Sequence, residues 1–391
     1  MIYLDNSATT RVYDEVADMM VKIMTEDYGN PSSRHSKGLD AEGCLRSAKA
    51  ELARLLKVTD KELLFTSGGT ESNNLALIGT ARANRRAGNH IIVSSVEHPS
   101  VSETIKYLSE NGFRVTVLPV NDKGMVEPEE FAAAVCEDTI LASVMLVNNE
   151  VGAVQPVERL AGILKEKRPG ALFHADAVQA FGKYKIFPKR MNIDLLSVSG
   201  HKIHGPKGVG LLYINDSVKI KPVIFGGGQQ GGLRSGTDNV PGIAGIALAA
   251  KLIYTDFDKK QEKLYTLKQR LIDGVKDIPD ICVNTVSGRE SAPHIVNISF
   301  LGVRSEVLLN MFNANGICVS AGSACAAHKQ TANAAGRRAG SPTLAAMGAD
   351  AARLDSAIRF SLSEMNTEED ISRCLEVLHA ELPRLRRFVR K

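Results

Sequence analysis

Apolar positions along this chain follow two different rhythms. From about residue 62 to residue 250, short apolar runs alternate with stretches of helical periodicity. The runs predict strands at Glu62 to Phe65, His90 to Ser94, Arg114 to Val120, Ile140 to Val147, Leu172 to Asp176, Asp194 to Val198 and Gly210 to Ile214. Helical patterns lie between several of them, at Glu71 to Arg86, Pro99 to Asn111, Glu129 to Val135 and Val157 to Lys167. Such alternation predicts an α/β fold, with a mostly parallel sheet covered by helices on both faces. Beyond Ala250 the pattern shifts to a long polar helix around Lys259 to Glu262, then to strands at Ile281 to Val286, Ile295 to Phe300 and Ile358 to Leu362. A helix from Ser305, read as its N-cap, to Asn315 stops at Gly316, and Thr367 with Asp370 three residues on resembles a capping box. The expected division is a large domain over residues 14–255 and a smaller α+β domain formed by residues 1–13 and 256–391.

Composition narrows the class without naming a chemistry. At 391 residues the chain exceeds what one hydrophobic core supports, which agrees with two domains. A formal net charge of +4 is too small to argue for direct nucleic-acid binding. Met1-Ile2-Tyr3-Leu4-Asp5 reads as structured chain rather than a targeting segment, and no apolar run is long enough to span a membrane. The six cysteines (Cys44, Cys136, Cys282, Cys318, Cys325, Cys374) show no CxxC spacing, so neither a disulfide framework nor a zinc cluster is expected. A cytoplasmic protein with free thiols fits best.

Candidate chemistry gathers at the carboxyl ends of the predicted strands, where open α/β sheets bind ligands. Thr66-Ser67-Gly68-Gly69-Thr70-Glu71-Ser72 is a glycine turn feeding a helix, a pattern suited to a phosphate and also common in plain strand-to-helix connections. His98 in Glu97-His98-Pro99 either stacks on an aromatic cofactor and moves protons or caps the helix that Pro99 begins. Asp176, in His174-Ala175-Asp176, either holds a pyridine nitrogen protonated or caps the next helix. Lys202 closes Asp194-Leu195-Leu196-Ser197-Val198-Ser199-Gly200-His201-Lys202. An amine at the end of a buried strand can lose solvation and become a better nucleophile toward a carbonyl, the setting of a Schiff-base lysine and its usual cofactor, pyridoxal 5′-phosphate. The plainer alternative is a solvated surface lysine.

Taken in order, these segments resemble a known family over nearly the whole length: the NifS/IscS-type cysteine desulfurases, within the class V aminotransferase fold of pyridoxal-phosphate enzymes. The landmarks are Tyr3-Leu4-Asp5-Asn6-Ser7-Ala8-Thr9-Thr10, Tyr28-Gly29-Asn30-Pro31-Ser32-Ser33, the Ser67 to Asn74 turn, Glu97-His98, Val147-Asn148-Asn149-Glu150-Val151-Gly152, Ser199-Gly200-His201-Lys202, Arg234-Ser235-Gly236-Thr237 and Ser323-Ala324-Cys325. The resemblance implies conversion of L-cysteine to L-alanine by a homodimer. Cys325 would take the sulfur as a persulfide and pass it to an acceptor protein, such as an iron–sulfur scaffold or a tRNA-thiolation relay. Lys202 would carry the cofactor and shuttle the Cα proton, with His98 stacked on the ring as acid/base. Gly69, Thr70, Ser199 and His201 would seat the phosphate, joined by Thr237 from the partner subunit. Asp176 would meet the ring nitrogen, and Gln179 and Asn149 the ring substituents. Asn30, Asn149 and Arg359 would bind the substrate, whose carboxylate a guanidinium matches bidentately.

Cys325 distinguishes this activity from others on the same fold. It sits among small residues in Ala321-Gly322-Ser323-Ala324-Cys325-Ala326-Ala327, the composition of a loop, as an exposed nucleophile requires. A structural Cys325 would leave an aminotransferase or selenocysteine lyase as the alternative. No metal is expected: Cys318, Cys325 and His328 lack a fourth ligand and the spacing. The chain departs from the family pattern between Ala326 and Ser341, a longer segment bearing His328, Lys329, Arg337 and Arg338. That segment either extends the reach of Cys325 and steers an acidic acceptor, or is an insertion with no role.

Overall fold

The computed structural model describes residues 1–321 and 340–389, so Cys325 and most of the Ala326 to Ser341 segment lie outside the described residues. The chain forms strands β1 (Ile2–Tyr3), β2 (Leu63–Thr66), β3 (His90–Ser94), β4 (Arg114–Leu118), β5 (Thr139–Ser143), β6 (Leu172–Asp176), β7 (Leu195–Ser199) and β8 (Gly210–Ile214) in its first part. Strands β9 (Ile281–Val283), β10 (Ile295–Phe300), β11 (Ile317–Cys318), β12 (Ser320–Ala321) and β13 (Ala357–Ser361) follow.

Seven strands make the main sheet, in the order β2-β8-β7-β6-β5-β3-β4. Strand β8 runs antiparallel to both β2 and β7, and the other pairs are parallel. Residues in β3, β5 and β7 are buried throughout, which is why these segments read as continuous apolar runs and not as alternations. At the sheet edge β4 leaves Arg114 and Val117, on opposite faces, exposed. From β3 the chain steps outward to β4, whereas from β5 it steps the other way to β6 and β7. The switch point therefore lies between β3 and β5, and the loops after the neighbouring strands open onto one crevice.

A second sheet, β12-β13-β10-β9, is antiparallel and has its own core. Phe360 packs edge-on against Phe312 at 5.5 Å and against Phe300 at 6.4 Å, and all three are fully buried. Burying a side chain of this size contributes about 1.5–3 kcal/mol before entropy is counted. The N-terminal strand crosses to this unit: β1 pairs with β11, Leu4 joins the core, and Asp5 bridges to Ser361. The loop after β5 also reaches it, since Asn297 Nδ2 donates to the Glu150 carbonyl at 3.2 Å and Ala292 N–H to the Gly152 carbonyl at 2.8 Å.

Several boundaries differ from the sequence reading. The stretch expected as one helix from Glu71 starts at Gly69 and carries a π-turn at Leu75–Gly79 before ending at Asn84. The strand expected through Val147 stops at Ser143, although Val144 and Leu146 still donate their N–H groups to the carbonyls of His174 and Asp176, so the chain runs on beside β6 as an irregular extension. Ser305 is the first helical residue and not the N-cap; Arg304 holds that position without a side-chain bond. The Thr367 cap forms as expected, with the Thr367 N–H on the Asp370 carboxylate and the Asp370 N–H on the Thr367 hydroxyl.

Candidate active site

Four strand ends deliver the expected residues to one crevice. After β2, Gly68 adopts φ 155°, and Gly69 opens the helix beside β7 and the loop after β6. A Cβ added at Gly69 would lie 2.7 Å from Val178 Cγ2 and 3.6 Å from Ser199 Cβ, so only glycine brings this turn so close to both. Ser199, at the end of β7, is buried against that turn, while Thr70 is exposed at its mouth.

Asp176 closes β6 and is only 4% exposed. Its Oδ1 accepts from Val178 N–H at 2.9 Å in a local turn, not the helix cap the residue type suggests, since no helix lies between β6 and β7; its Oδ2 accepts from Asn73 Nδ2 at 2.7 Å. Asn73 also donates to Ser100 Oγ at 2.8 Å, and Ser100 Oγ lies 2.8 Å from His98 Nδ1. His98 is indeed the N-cap of helix Pro99–Glu110, accepting Ser100 N–H on Nδ1 at 3.1 Å. That acceptor role puts the proton of the neutral ring on Nε2. Burial lowers the His98 pKa; the Asp176 charge opposes this and the Lys202 charge adds to it. Asn73 and Ser100 thus join Asp176 to His98, a link the sequence reading missed because neither residue carries a charge.

Lys202 ends the 3-10 turn Gly200–Lys202 directly after β7 and is half-buried. Its Nζ donates to the carbonyls of Ser7 at 2.5 Å and Ala8 at 2.8 Å. His201 packs Nδ1 3.3 Å from Thr9 Oγ1, and burial brings its pKa down to about 4. Gln179 Nε2 donates to the same Ser7 carbonyl at 3.0 Å, and its Oε1 faces His294 Nε2 at 3.3 Å. The N-terminal segment is therefore part of the site's wall.

Arg359, on β13, is 6% exposed and reaches across from the second sheet. Its Nη2 pairs with Asp5 Oδ1 at 2.9 Å, and its Nη1 donates to the Asn149 carbonyl at 2.9 Å. Two expected substrate residues are thereby in contact. Asn30 is exposed and its Oδ1 accepts Ser32 N–H at 2.9 Å, a local turn bond, so within this chain nothing ties it to Arg359 among the described contacts. Thr237 is likewise exposed, in the loop before helix Val240–Tyr254. Among the described residues no group of His, Cys, Asp and Glu could hold a metal ion, and no single helix is long and apolar enough to cross a membrane.

A seven-stranded sheet with a buried carboxylate at the end of β6, a lysine after β7 and a capping histidine after β3 defines an α/β enzyme site. The chain belongs to the class-V aminotransferase family, whose profile matches residues 2–374. Within it, the similarity is to the NifS/IscS type. The cysteine desulfurase IscS of Methanosarcina thermophila is 43% identical over 385 residues, covering 98% of this chain and 93% of that protein. Cysteine desulfurase IscS of Clostridium botulinum strain Hall is 42% identical over 379 residues, covering 96% and 93%. A solved structure described as a NifS-like protein superposes with a TM-score of 0.91 at 39% identity, covering 98% of this chain and all of that one. Enzymes of this type depend on pyridoxal phosphate, and the residues present fit it: a glycine turn open to a phosphate, a buried carboxylate for the ring nitrogen and an amine for its aldehyde.

Proposed function

We propose that this enzyme is a cysteine desulfurase in which Lys202 holds the cofactor and Cys325 receives the sulfur. The observation that supports it most is the placement of Asp176, His98 and Lys202 at or just after the ends of β6, β3 and β7, with Asn73 and Ser100 linking Asp176 to His98. Bound pyridoxal phosphate supplies an aldehyde for an amine and a ring that accepts electrons from the substrate Cα.

The chain's own residues do the rest. Asp176, already oriented by Val178 and Asn73, offers its carboxylate to the ring nitrogen and keeps positive charge there. Lys202 would hold the cofactor's aldehyde and, with its amine free, would carry a proton from and to the substrate Cα. The neutral His98 offers its Nε2–H, with Nδ1 locked by Ser100. Arg359 holds the substrate carboxylate, and Asn149 lies against it. The Cys325 thiolate attacks the substrate sulfur: an S–S bond forms, the substrate Cβ–S bond breaks, and alanine remains after protonation. A persulfide on Cys325 is the form in which sulfur leaves for an acceptor protein, an iron–sulfur scaffold or a tRNA-thiolation relay. The chain acts as a homodimer in the cytoplasm, with the exposed Thr237 completing the phosphate seat of its partner. Residues 14–255 form the cofactor-binding domain, and residues 1–13 with 256–391 form the domain that carries Cys325.

The direct test is Lys202→Ala. Loss of the base is expected to lower alanine formation from L-cysteine by about 10²–10⁴-fold and to abolish the visible absorption of the lysine-bound cofactor. Turnover within twofold of wild type would refute the role given to Lys202.

A further inference from the structure

Arg359 is the most constrained cation of the site, and the constraint comes from an unexpected partner. Its guanidinium is buried, and a buried charge without a counter-ion is strongly unfavourable. Asp5 supplies that counter-ion from the N-terminal segment, through one Nη2–Oδ1 contact at 2.9 Å. Asn149 fixes the other terminal nitrogen through its carbonyl at 2.9 Å. Nε is buried and has no hydrogen-bond partner among the described residues. A guanidinium held at both Nη atoms cannot rotate about its plane, so its Nε edge faces one fixed direction. A buried donor left without an acceptor is unfavourable, and an incoming carboxylate oxygen relieves it.

Asp5 is itself held firmly. Asn6 N–H donates to the Ser361 carbonyl at 3.1 Å, Ser361 N–H to the Leu4 carbonyl at 2.7 Å, and Ser7 N–H to Ser361 Oγ at 2.8 Å. The segment runs beside β13, two residues from the arginine it serves. Two residues further on, the Ser7 and Ala8 carbonyls receive Lys202 Nζ. One four-residue stretch therefore touches both the group that would hold the substrate carboxylate and the group that would hold the cofactor.

We propose that Asp5 is a positioning residue for substrate recognition, holding Arg359 so that its Nε edge is presented to the α-carboxylate of the amino-acid substrate. The inference rests on the reading of Arg359 given above. Asp5 does not touch the substrate. It neutralises and orients the arginine, so its removal weakens carboxylate binding without altering the chemistry at Cα.

Holoenzyme carrying Asp5→Ala is titrated with L-alanine, which bears the carboxylate, and with ethylamine, which lacks it, following the cofactor's visible absorption. Asp5→Ala is expected to weaken L-alanine about tenfold, because Arg359 loses the contact that fixes its orientation, and to raise KM for L-cysteine similarly. Ethylamine affinity, kcat and the resting spectrum are expected to stay within about twofold of wild type. Equal weakening of both probes would make Asp5 merely structural and overturn the inference. Unchanged L-alanine affinity in Asp5→Ala alongside weakened affinity in Arg359→Lys would also overturn it, while leaving the arginine's role intact. Unchanged affinity in Arg359→Lys would remove the reading on which it rests. Asp5→Asn keeps the oxygen and loses the charge, and is expected to show a smaller loss in the same direction; it serves as the test should the alanine variant not fold.

Discussion

Individual residues here carry more than one assignment. His98 is a helix cap, as one of the two sequence readings has it, and it also sits between the Asp176 and Lys202 charges, where the proposed acid/base role would place it. Asp176 accepts the Val178 N–H of a local turn with one oxygen and engages Asn73 with the other, and no helix follows for it to cap. Glu97, next to His98, shows what such crowding does to a carboxyl group. Its Oε1 accepts from Ser94 Oγ at 2.5 Å and Met145 N–H at 2.7 Å, while Oε2 is buried without a partner among the described residues. Burial is the main cause that pushes its pKa from 4.5 up to about 8. The folded protein therefore keeps a proton that the unfolded chain releases above pH 4.5, so this group's contribution to stability falls as pH rises from 4.5 to 8. Glu97→Gln removes that titration. Relative to wild type the variant is expected to gain stability with pH, by at most about 1.4 kcal/mol per unit across this window. Urea midpoints at pH 5, 7 and 9 check it, and parallel curves for the two proteins would contradict it.

At the scale of elements, the strands were the most legible part. His90 to Ser94, Leu172 to Asp176, Gly210 to Ile214 and Ile295 to Phe300 coincide with their predicted limits, because uninterrupted burial leaves an unmistakable apolar run. Elements that depend on long-range partners were not legible. The π-turn at Leu75–Gly79 leaves no compositional mark in an otherwise good helix, and the helices Asp14–Thr25 and Ser36–Leu56 were absent from the sequence reading. Of the site, the residues on strand ends were readable from order alone. The Asp5–Arg359 pair was not, since it joins positions 354 residues apart. The Gly68-Gly69 turn gives this scale its own test. In Gly69→Ala the added Cβ meets Val178 Cγ2 at 2.7 Å, and the strain is expected to destabilise by about 1–3 kcal/mol and to weaken cofactor retention. Adding Val178→Ala is expected to restore much of the loss in denaturant unfolding. A double variant no better than the single one would show that the contact is not the cause.

At the scale of the whole molecule, one site joins the two sheets. The main sheet contributes Asp176, Lys202 and the glycine turn, the second sheet contributes Arg359, and the N-terminal strand binds to both. Such a site exists only when the two units are packed together, and β13 carries Arg359 to it while burying Ile358 and Phe360 in the second sheet's own core. Cys325 lies outside the described residues, and its function rests on its sequence setting and on the family. Its role is also the central claim, since without it the same fold serves other pyridoxal-phosphate chemistry. The decisive measurement compares wild type with Cys325→Ala, each purified with bound cofactor, given L-cysteine and assayed for alanine and for sulfur bound to protein. The account predicts that the variant keeps its yellow cofactor absorption, forms no protein-bound persulfide and loses alanine formation. A variant that makes alanine as fast as wild type would contradict persulfide chemistry at Cys325.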